Sequence, residues 1–276
     1  MTPKSILITG CSSGIGYAVA HGLKDAGWRV FATCRKPEDC ERLIGEGLES
    51  FRLDYTDHAS LHAAVAEVLS RTGGTLDALY NNGAHGLPAA VEDVPTDALR
   101  EMFETNVFGY HELTRAVLPV MRKQGYGRII NCSSVLGFTT LKWRGAYSAS
   151  KHALEGLTDT LRIEMKGTGI KVILIEPGPI TSDIRTKSAA HFEKWIDWRN
   201  SPVRERYESF VLKRLYSPKS GPDPFERPAG YVTKFLLHAL ESRNPKPRYY
   251  ITVPTHVAGI LKRLLSTRLQ DWLLAR

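Results

Sequence analysis

Short apolar runs alternate along the chain with longer segments in which apolar residues recur every three or four positions. The short runs predict β-strands, because most are nearly continuous in Ile, Leu and Val, as in parallel strands covered on both faces. The predicted strands are Ser5–Thr9, Arg29–Thr33, Phe51–Asp54, Leu76–Tyr80, Arg128–Cys132, Lys171–Ile175 and Tyr249–Val253.

The longer segments predict helices at Gly14–Ala26, Asp57–Ser70, Thr96–Lys123 and Tyr147–Lys166. The last ends at Gly167 and Gly169, which favour a helix C-cap. Strands and helices in alternation predict an α/β fold, a Rossmann-like doubly wound parallel sheet in a single domain. Its nucleotide-binding core is expected at about residues 4–180.

Residues 181–227 interrupt this alternation and predict a helical substrate lid with a Pro/Gly-rich exit from Ser217 to Pro228. The lid is rich in aromatic residues: Phe192, Trp195, Trp198, Tyr207, Phe210 and Tyr216. Two interpretations stay open and are compatible. These rings pack the lid onto the body, or several of them line an apolar ligand pocket.

The C-terminal part, about residues 245–276, predicts a strand followed by a basic amphipathic helix. From Glu241 to Arg276 there are seven Lys or Arg and two Asp or Glu, so this segment carries +5 of the net +8. Such a helix packs on the lid or on a partner subunit, or it lies on an anionic membrane surface. Both interpretations stay open.

The composition is that of an ordinary globular chain, with 276 residues, 42% hydrophobic and 24% charged. It excludes a disordered chain and a disulfide-stapled mini-protein, and the modest positive charge gives no reason to expect nucleic acid. Four cysteines without a C-x-x-C pair fit a reducing, cytoplasmic location. No run of 18 apolar residues predicts a membrane-spanning helix, and the start of the chain leaves no room for a targeting segment.

A glycine-rich turn, Thr9-Gly10-Cys11-Ser12-Ser13-Gly14-Ile15-Gly16, follows the first strand and opens the first helix. Glycines allow close approach of the backbone to a pyrophosphate, and a helix N-terminus favours negative charge. The turn alone is also compatible with an ordinary tight loop.

A second set of residues indicates acid–base chemistry. Tyr147 and Lys151 are separated by one helical turn, and a nearby ammonium lowers the pKa of a phenol. Ser134 follows a predicted strand end, where open α/β sheets bind ligands. Asn106 lies inside a predicted helix, where Asn is unfavourable. His58 and His62 are expected to be a surface pair rather than metal ligands, and no metal is predicted.

Together these motifs resemble the classical short-chain dehydrogenase/reductase family over about residues 4–185. Within the family they are similar to the branch of 17β-hydroxysteroid and retinol dehydrogenases and bacterial NADP-dependent aldehyde reductases. The matching segments are Thr9–Gly16, Asp54, Asn81-Asn82-Gly83-Ala84, the tetrad Asn106, Ser134, Tyr147 and Lys151, and Pro177-Gly178-Pro179-Ile180-Thr181.

The resemblance implies that Tyr147 exchanges a proton with the substrate oxygen and that Ser134 holds this oxygen. Lys151 would tune Tyr147 and bind the nicotinamide ribose, and Asn106 would hold a water linked to Lys151. The remaining residues would hold the cofactor: Gly10, Ser12, Ser13, Gly14, Ile15, Gly16, Asp54 at the adenine, Asn82, Pro177, Gly178, Ile180 and Thr181. It also implies a homo-oligomer.

The end of the second strand predicts NADP as the cofactor. Cys34 stands where NAD enzymes of the family place an acid, and Arg35 and Lys36 follow it and suit a 2′-phosphate. We expect interconversion of an aldehyde or ketone with an alcohol on a lipophilic substrate, with reduction favoured. The alternatives are an NAD-dependent steroid or retinol dehydrogenase working oxidatively and a non-catalytic NADP-binding sensor. A sugar-nucleotide epimerase or dehydratase is disfavoured by chain length and glycine spacing.

Overall fold

The computed structural model describes residues 3–217 and 221–275. Seven strands in these residues form one sheet in the order β3-β2-β1-β4-β5-β6-β7, and every neighbouring pair is parallel. The strands are β1 (Ser5–Ile8), β2 (Arg29–Cys34), β3 (Glu49–Arg52), β4 (Ala78–Asn81), β5 (Gly127–Cys132), β6 (Ile170–Glu176) and β7 (Arg248–Tyr250). The Rossmann-like α/β prediction is therefore confirmed.

The helices connect successive strands and cover both faces of the sheet. They are α1 (Gly14–Asp25), α2 (Pro37–Gly45), α3 (His58–Thr72), α4 (Thr96–Phe103), α5 (Gly109–Gln124), α6 (Gly145–Glu164), α7 (Ile184–Trp195), α8 (Arg204–Arg206), α9 (Leu212–Tyr216), α10 (Thr233–Glu241), α11 (Val253–Leu264) and α12 (Thr267–Leu274). Short 3₁₀ turns lie at Val91–Asp93, Val135–Gly137, Trp198–Asn200 and Ala229–Val232.

Alternation along β1 shows why the strands are apolar on both faces. Ile6 and Ile8 point into one core, with residues of α1 and α10, whereas Leu7 points into the other, with residues of α3 and α5. All three side chains are fully buried. The nearly continuous apolar runs in the sequence therefore correspond to a central sheet with two covered faces.

Three predicted elements differ from the structure. The helix expected at Thr96–Lys123 is divided by a π-helical turn at Glu104–Phe108. The last strand is Arg248–Tyr250 rather than Tyr249–Val253, because α11 already begins at Val253 with a proline in its first turn. Helix α2 was not predicted, since it buries only Cys40 and Leu43 and its apolar periodicity is short.

The lid leaves the body after β6, and its first and last residues are hydrogen-bonded to each other. Ile180 and Arg227 form an isolated parallel bridge, and Thr181 N donates to Arg227 O at 2.9 Å. Between them α7, α8 and α9 lie over the body, in a third apolar cluster that joins Leu87 and Met102 to Phe192 and Tyr207. Part of the predicted Ser217–Pro228 exit, residues 218–220, lies outside the described residues. Among the described helices, none is both long enough and apolar enough to cross a membrane.

Candidate active site

The sequence motifs meet at the carboxyl edge of the sheet. The strands β1, β4, β5 and β6 are neighbours, and the residues that follow each of them carry one motif. These are the glycine-rich turn, Asn82, Ser134 and the Pro177–Thr181 segment. In open α/β sheets this edge is where ligands bind, because loops from neighbouring strands converge there.

The glycine-rich turn packs so closely that side chains are excluded. Gly10 has φ +69°, and a Cβ there would lie 2.5 Å from Gly83 Cα. A Cβ on Gly16 would lie 2.3 Å from Gly10 O. Thr9 Oγ1 fixes the facing loop by accepting hydrogen bonds from Asn82 N at 2.9 Å and Gly83 N at 3.2 Å. The Asn-Asn-Gly-Ala order thus places a glycine at the closest approach.

The first turn of α1 has the properties of an anion-binding site. Ser13 is its N-cap, yet the Ser13 side chain makes no capping hydrogen bond. Helix N-termini carry unpaired N–H groups and partial positive charge, which suit a pyrophosphate. The close backbone packing and this open helix start fit the phosphates of a dinucleotide cofactor.

Lys187 of the lid reaches this turn and was not identified from the sequence. Its ammonium donates to Ser13 Oγ at 2.6 Å and to Ser12 Oγ at 3.1 Å. A Cβ on Gly14 would lie only 3.2 Å from Ser182 Cβ, so the start of the lid is also in contact with the turn. No local signal marks Lys187, because it is 174 residues from Ser13.

Arg35 and Lys36 follow β2 and are exposed directly before α2. Neither side chain forms a hydrogen bond or an ion pair with another residue in the ranges 3–217 and 221–275. The preceding Cys34 is buried, and burial raises its pKa, so it carries no charge. Asp54, one strand further out, accepts from Thr56 N at 3.0 Å and stiffens its own loop. The strand end is therefore basic.

Tyr147 and Lys151 lie on α6, and Ser134 lies just beyond β5. Ser134 lies close enough to the Tyr147 hydroxyl to lower the pKa of that phenol. Ser134 Oγ also accepts from Leu136 N at 3.1 Å. The Lys151 ammonium is buried, donates to Cys132 O at 2.7 Å and lies 5.8 Å from the centre of the Tyr147 ring. The structure thus brings these three predicted residues together.

Asn106 occupies the π-helical turn, a feature often found at functional sites. Its fully buried amide accepts from His85 N at 3.1 Å and donates to His85 O at 3.0 Å and Ser150 Oγ at 3.1 Å. The poor helix propensity of Asn was the signal for this position. The side chain connects the loop after β4 to α6, close to Lys151.

The pKa values of Lys151 and Tyr147 are both shifted by burial, and the shift of Tyr147 differs from the expected one. Burial lowers the pKa of Lys151 to about 8. Burial also raises the pKa of Tyr147 well above its ordinary value, and the nearby Ser134 and Arg144 only partly oppose this. We expected Lys151 to lower the Tyr147 pKa, but its ammonium faces the Cys132 carbonyl. Tyr147 is therefore a protonated phenol at neutral pH.

Thr181 lies at the base of the lid, where its hydroxyl donates to Glu226 Oε1 at 2.7 Å. Gly178 packs against Thr252, and a Cβ on Gly178 would lie 2.2 Å from Thr252 Oγ1. The Pro177–Thr181 segment is thereby held against the start of α11 on one side and against the lid exit on the other. Its contacts with a nicotinamide remain predictions.

Most lid aromatics pack the lid onto the body. Phe192 and Tyr207 are buried, and Tyr207 donates from its hydroxyl to Asp93 Oδ2 at 2.8 Å. Trp195, Trp198 and Tyr147 lie at the edge of the same apolar cluster. Phe210 and Tyr216 are exposed. The packing interpretation is confirmed for the buried residues, while a pocket-lining role stays a prediction.

Four of the nine histidines lie in two pairs. His58 and His62 are exposed, each beside a glutamate, as expected for a surface pair. His85 and His191 stack with ring centroids 3.9 Å apart and an interplanar angle of 12°. Glu101 accepts from His191 Nδ1 at 2.9 Å. The ligand atoms of His85, His191 and Glu101 lie within 4.8 Å of one another, a spacing that a metal ion could bridge, although no metal is predicted from the sequence.

The fold and this edge of the sheet define a dinucleotide-binding oxidoreductase. Residues 4–192 match the model of the short chain dehydrogenase family, and the chain belongs to that family. It is 38% identical over 271 residues to the uncharacterized oxidoreductase YbbO of Escherichia coli K12, covering 98% of this chain and 94% of that protein. It is 37% identical over 226 residues to human retinol dehydrogenase 8, covering 79% and 71%.

Solved structures of the same family share the fold. A short-chain dehydrogenase/reductase from Burkholderia phymatum, in complex with NAD, superposes with a TM-score of 0.78 at 25% identity. The match covers 99% of this chain and 95% of that one. The chain is therefore a short-chain oxidoreductase with the fold of these solved structures.

Proposed function

We propose that this protein reduces an aldehyde or ketone on a lipophilic substrate and uses NADPH. The observation that carries the cofactor preference is the basic end of β2. There Arg35 and Lys36 are exposed and unpaired within the described residues, and no acid precedes them. A carboxylate would accept the two ribose hydroxyls of NADH, whereas a guanidinium binds a phosphate through parallel N–H bonds.

The protonation state of Tyr147 supports reduction. A carbonyl that accepts hydride at carbon must receive a proton at oxygen, and the raised pKa of Tyr147 keeps its hydroxyl protonated at neutral pH. Oxidation of an alcohol would instead need Tyr147 as a phenolate. An NAD-dependent steroid or retinol dehydrogenase working oxidatively would use the same residue in reverse and stays the alternative.

The bound cofactor supplies the hydride, and the chain supplies orientation and proton transfer. Tyr147 Oη donates its proton to the substrate oxygen, and the Ser134 hydroxyl holds the same oxygen by a hydrogen bond. Lys151 supplies positive charge one helical turn from the phenolate that remains. Asn106 keeps the loop after β4 and α6 in register through its bonds to His85 and Ser150.

The surroundings of Tyr147 support a lipophilic substrate. Its ring lies at the edge of an apolar cluster that joins Leu87, Ala146 and Phe192. Gly86 lies in a narrow space between the lid and Tyr147. A Cβ at this position would lie 3.2 Å from Ser188 Oγ of the lid and 4.0 Å from Tyr147 Cδ2. Apolar walls with a few convergent polar groups are typical of small-molecule sites.

Arg35→Ala tests the proposal. A hydrogen bond to a charged group is worth roughly 1.5–3 kcal/mol, or about ten- to a hundredfold in affinity. We expect NADPH binding, measured by fluorescence titration, to weaken by about this factor while NADH binding changes little. Arg100→Ala is the matched control, because its side chain is 75% exposed on α4.

Equal losses of NADPH and NADH affinity in Arg35→Ala would contradict the cofactor preference. Turnover is measured separately, by cofactor absorbance with a panel of aldehydes and ketosteroids. Tight NADPH binding without turnover of any carbonyl substrate would contradict the reductase function and would favour a non-catalytic NADP-binding sensor.

A further inference from the structure

The C-terminal helices expose an apolar stripe. On α11 the exposed side chains Val253, Val257, Ile260, Leu261 and Leu264 follow helical spacing and share one face. On α12 the exposed Leu269, Trp272 and Leu273 follow the same spacing. We call these eight residues the tail stripe. Isolated exposed apolar residues are common, but several on one helix face mark an interaction surface.

The tail stripe is held outward by the rest of the chain. The other face of α11 packs on the body through Thr255 and Gly259, which are its buried residues. Gly259 fits against Tyr250, where a Cβ would lie 2.7 Å from Tyr250 Cε2. Because this face is fixed, the stripe cannot turn inward to bury itself. Among the described residues, α11 therefore packs on the body with the stripe on its opposite face.

The stripe lies beside the loop that joins Ser134 to Tyr147. The Phe138 ring lies 5.3 Å from that of Tyr250, under α11. At the far end, Lys142 donates to Ala275 O, just past α12. Leu141, next to Lys142 in the same loop, is 48% exposed and adds to the apolar surface beside the stripe. The stripe therefore borders the substrate side of the site.

The charges near the stripe are mostly positive. Lys262 and Arg263 lie in the last turn of α11 and Arg268 in the first turn of α12, and all three are exposed. Asp271 is the one acid among residues 253–275. Long basic side chains can extend beside an apolar face that inserts into a bilayer and reach anionic headgroups. A two-fold contact between copies would instead bring these like charges together.

We propose that the tail stripe binds an anionic membrane surface, with α11 and α12 lying in the interface plane. The apolar face then enters the headgroup and acyl boundary, and the basic side chains contact the lipid phosphates. This contact places the loop that carries Ser134 and leads to Tyr147 close to the lipid, where a lipophilic substrate is concentrated. The proposal needs neither the cofactor preference nor turnover.

Vesicle sedimentation of the full chain tests this binding. The probes are phosphatidylcholine vesicles with about 30% phosphatidylglycerol and vesicles of phosphatidylcholine alone, because the anionic lipid supplies the surface potential. We expect pelleting with the anionic vesicles at low salt. At about 1 M salt, where the Debye length falls to roughly 3 Å, the bound fraction should be much lower.

A double variant and a matched control separate the stripe from general surface effects. Ile260→Ser with Leu264→Ser removes side chains that are 57% and 75% exposed, and Ile44→Ser with Ile163→Ser removes others that are 54% and 69% exposed. We expect the stripe pair to weaken partitioning roughly tenfold or more. The control pair should bind as the wild type does. Thermal unfolding checks that all variants fold, since exposed substitutions change stability little.

Three results would overturn the proposal. One is no pelleting of the wild type with anionic vesicles at low salt. Another is an equal loss in the control pair. The third comes from sedimentation velocity without vesicles: a dimer that the stripe pair dissociates would make a second copy of this chain the occupant of the stripe.

Discussion

Lys187 on the lid donates a 2.6 Å hydrogen bond to the hydroxyl of Ser13, the N-cap of α1. A cation at a helix N-terminus faces the positive end of the helix dipole, which is unfavourable on its own. A phosphate between the two would interact favourably with both. We therefore expect Lys187 to contribute a ligand to the cofactor and to couple the position of the lid to cofactor binding.

We predict that Lys187→Ala weakens NADPH and NADH by similar factors, about ten- to a hundredfold, because the pyrophosphate at the helix start is common to both cofactors. The measurement is fluorescence titration with each cofactor, and Lys171→Ala on the exposed part of β6 is the control. Loss of NADPH affinity alone would show that Lys187 contacts the 2′-phosphate instead. Unchanged affinity for both cofactors would show that Lys187 only holds the lid against the glycine-rich turn.

Tyr147→Phe should abolish turnover and leave cofactor affinity nearly unchanged, since only the proton-donating hydroxyl is removed. Tyr110→Phe is a close control. The Tyr110 ring lies 5.1 Å from Lys151 Nζ, and its buried hydroxyl has no hydrogen-bond partner among the described residues. We expect that control to keep full activity, because no hydrogen bond is lost. Substantial turnover by the Tyr147→Phe enzyme would contradict the assigned mechanism.

The strands and the residues that directly follow them could be predicted from sequence, because each depends on the pattern of neighbouring residues. Buried parallel strands need continuous apolar runs, so all seven strands were located to within a few residues. A strand end followed by glycine, Asn82 or Ser134 then indicates one edge of the sheet, because parallel strands end together. Asn106 was found because Asn is unfavourable inside a helix.

The relationships that were missed join distant, polar residues. Lys187 and Ser13, or His85 and His191, meet only through the lid, and no periodicity couples them. The direction of the Tyr147 pKa shift was also wrong, since it depends on burial and on where the Lys151 ammonium points. Both are properties of the packed structure and not of sequence spacing.

The stacked His85 makes stability depend on pH. Burial and the neighbouring His191 lower its pKa from 6.5 to about 4. The unfolded chain therefore takes up this proton near pH 6.5 and the folded chain only near pH 4, so stability falls as the pH falls between these values. The effect is on the order of 2 kcal/mol.

His85→Gln should make this decline in stability smaller. The measurement is the free energy of unfolding in urea at about pH 7, 6 and 5, which lie across the titration window. His58→Gln is the control, because its side chain is 54% exposed. The same pH slope in His85→Gln and the wild type would show that another group causes the decline.

Arg248 neutralises buried carboxylates beneath the active-site loop. Its guanidinium donates to Glu176 Oε1 at 2.5 Å, Glu155 Oε2 at 2.6 Å and Asp159 Oδ2 at 2.5 Å. Glu176 is fully buried, and its burial beside Glu155 raises its pKa to about 8. Glu155 in turn accepts from Ser133 Oγ at 2.6 Å, one residue before Ser134. Removing the guanidinium would leave carboxylates without a counter-charge in a buried site.

Arg248→Met should therefore lower the free energy of unfolding by about 3–5 kcal/mol, as expected when one partner of a buried ion pair is removed. Urea denaturation measures this loss. Arg162→Met is the matched control, because Arg162 pairs with the same Asp159 at the surface, where an ion pair is worth about 1 kcal/mol or less. Adding Glu176→Gln to Arg248→Met should restore little of the stability, because the raised pKa of Glu176 already keeps that carboxyl largely protonated near neutral pH. Equal, small losses in Arg248→Met and Arg162→Met would mean that water, and not Arg248, compensates the charges of Glu155 and Asp159.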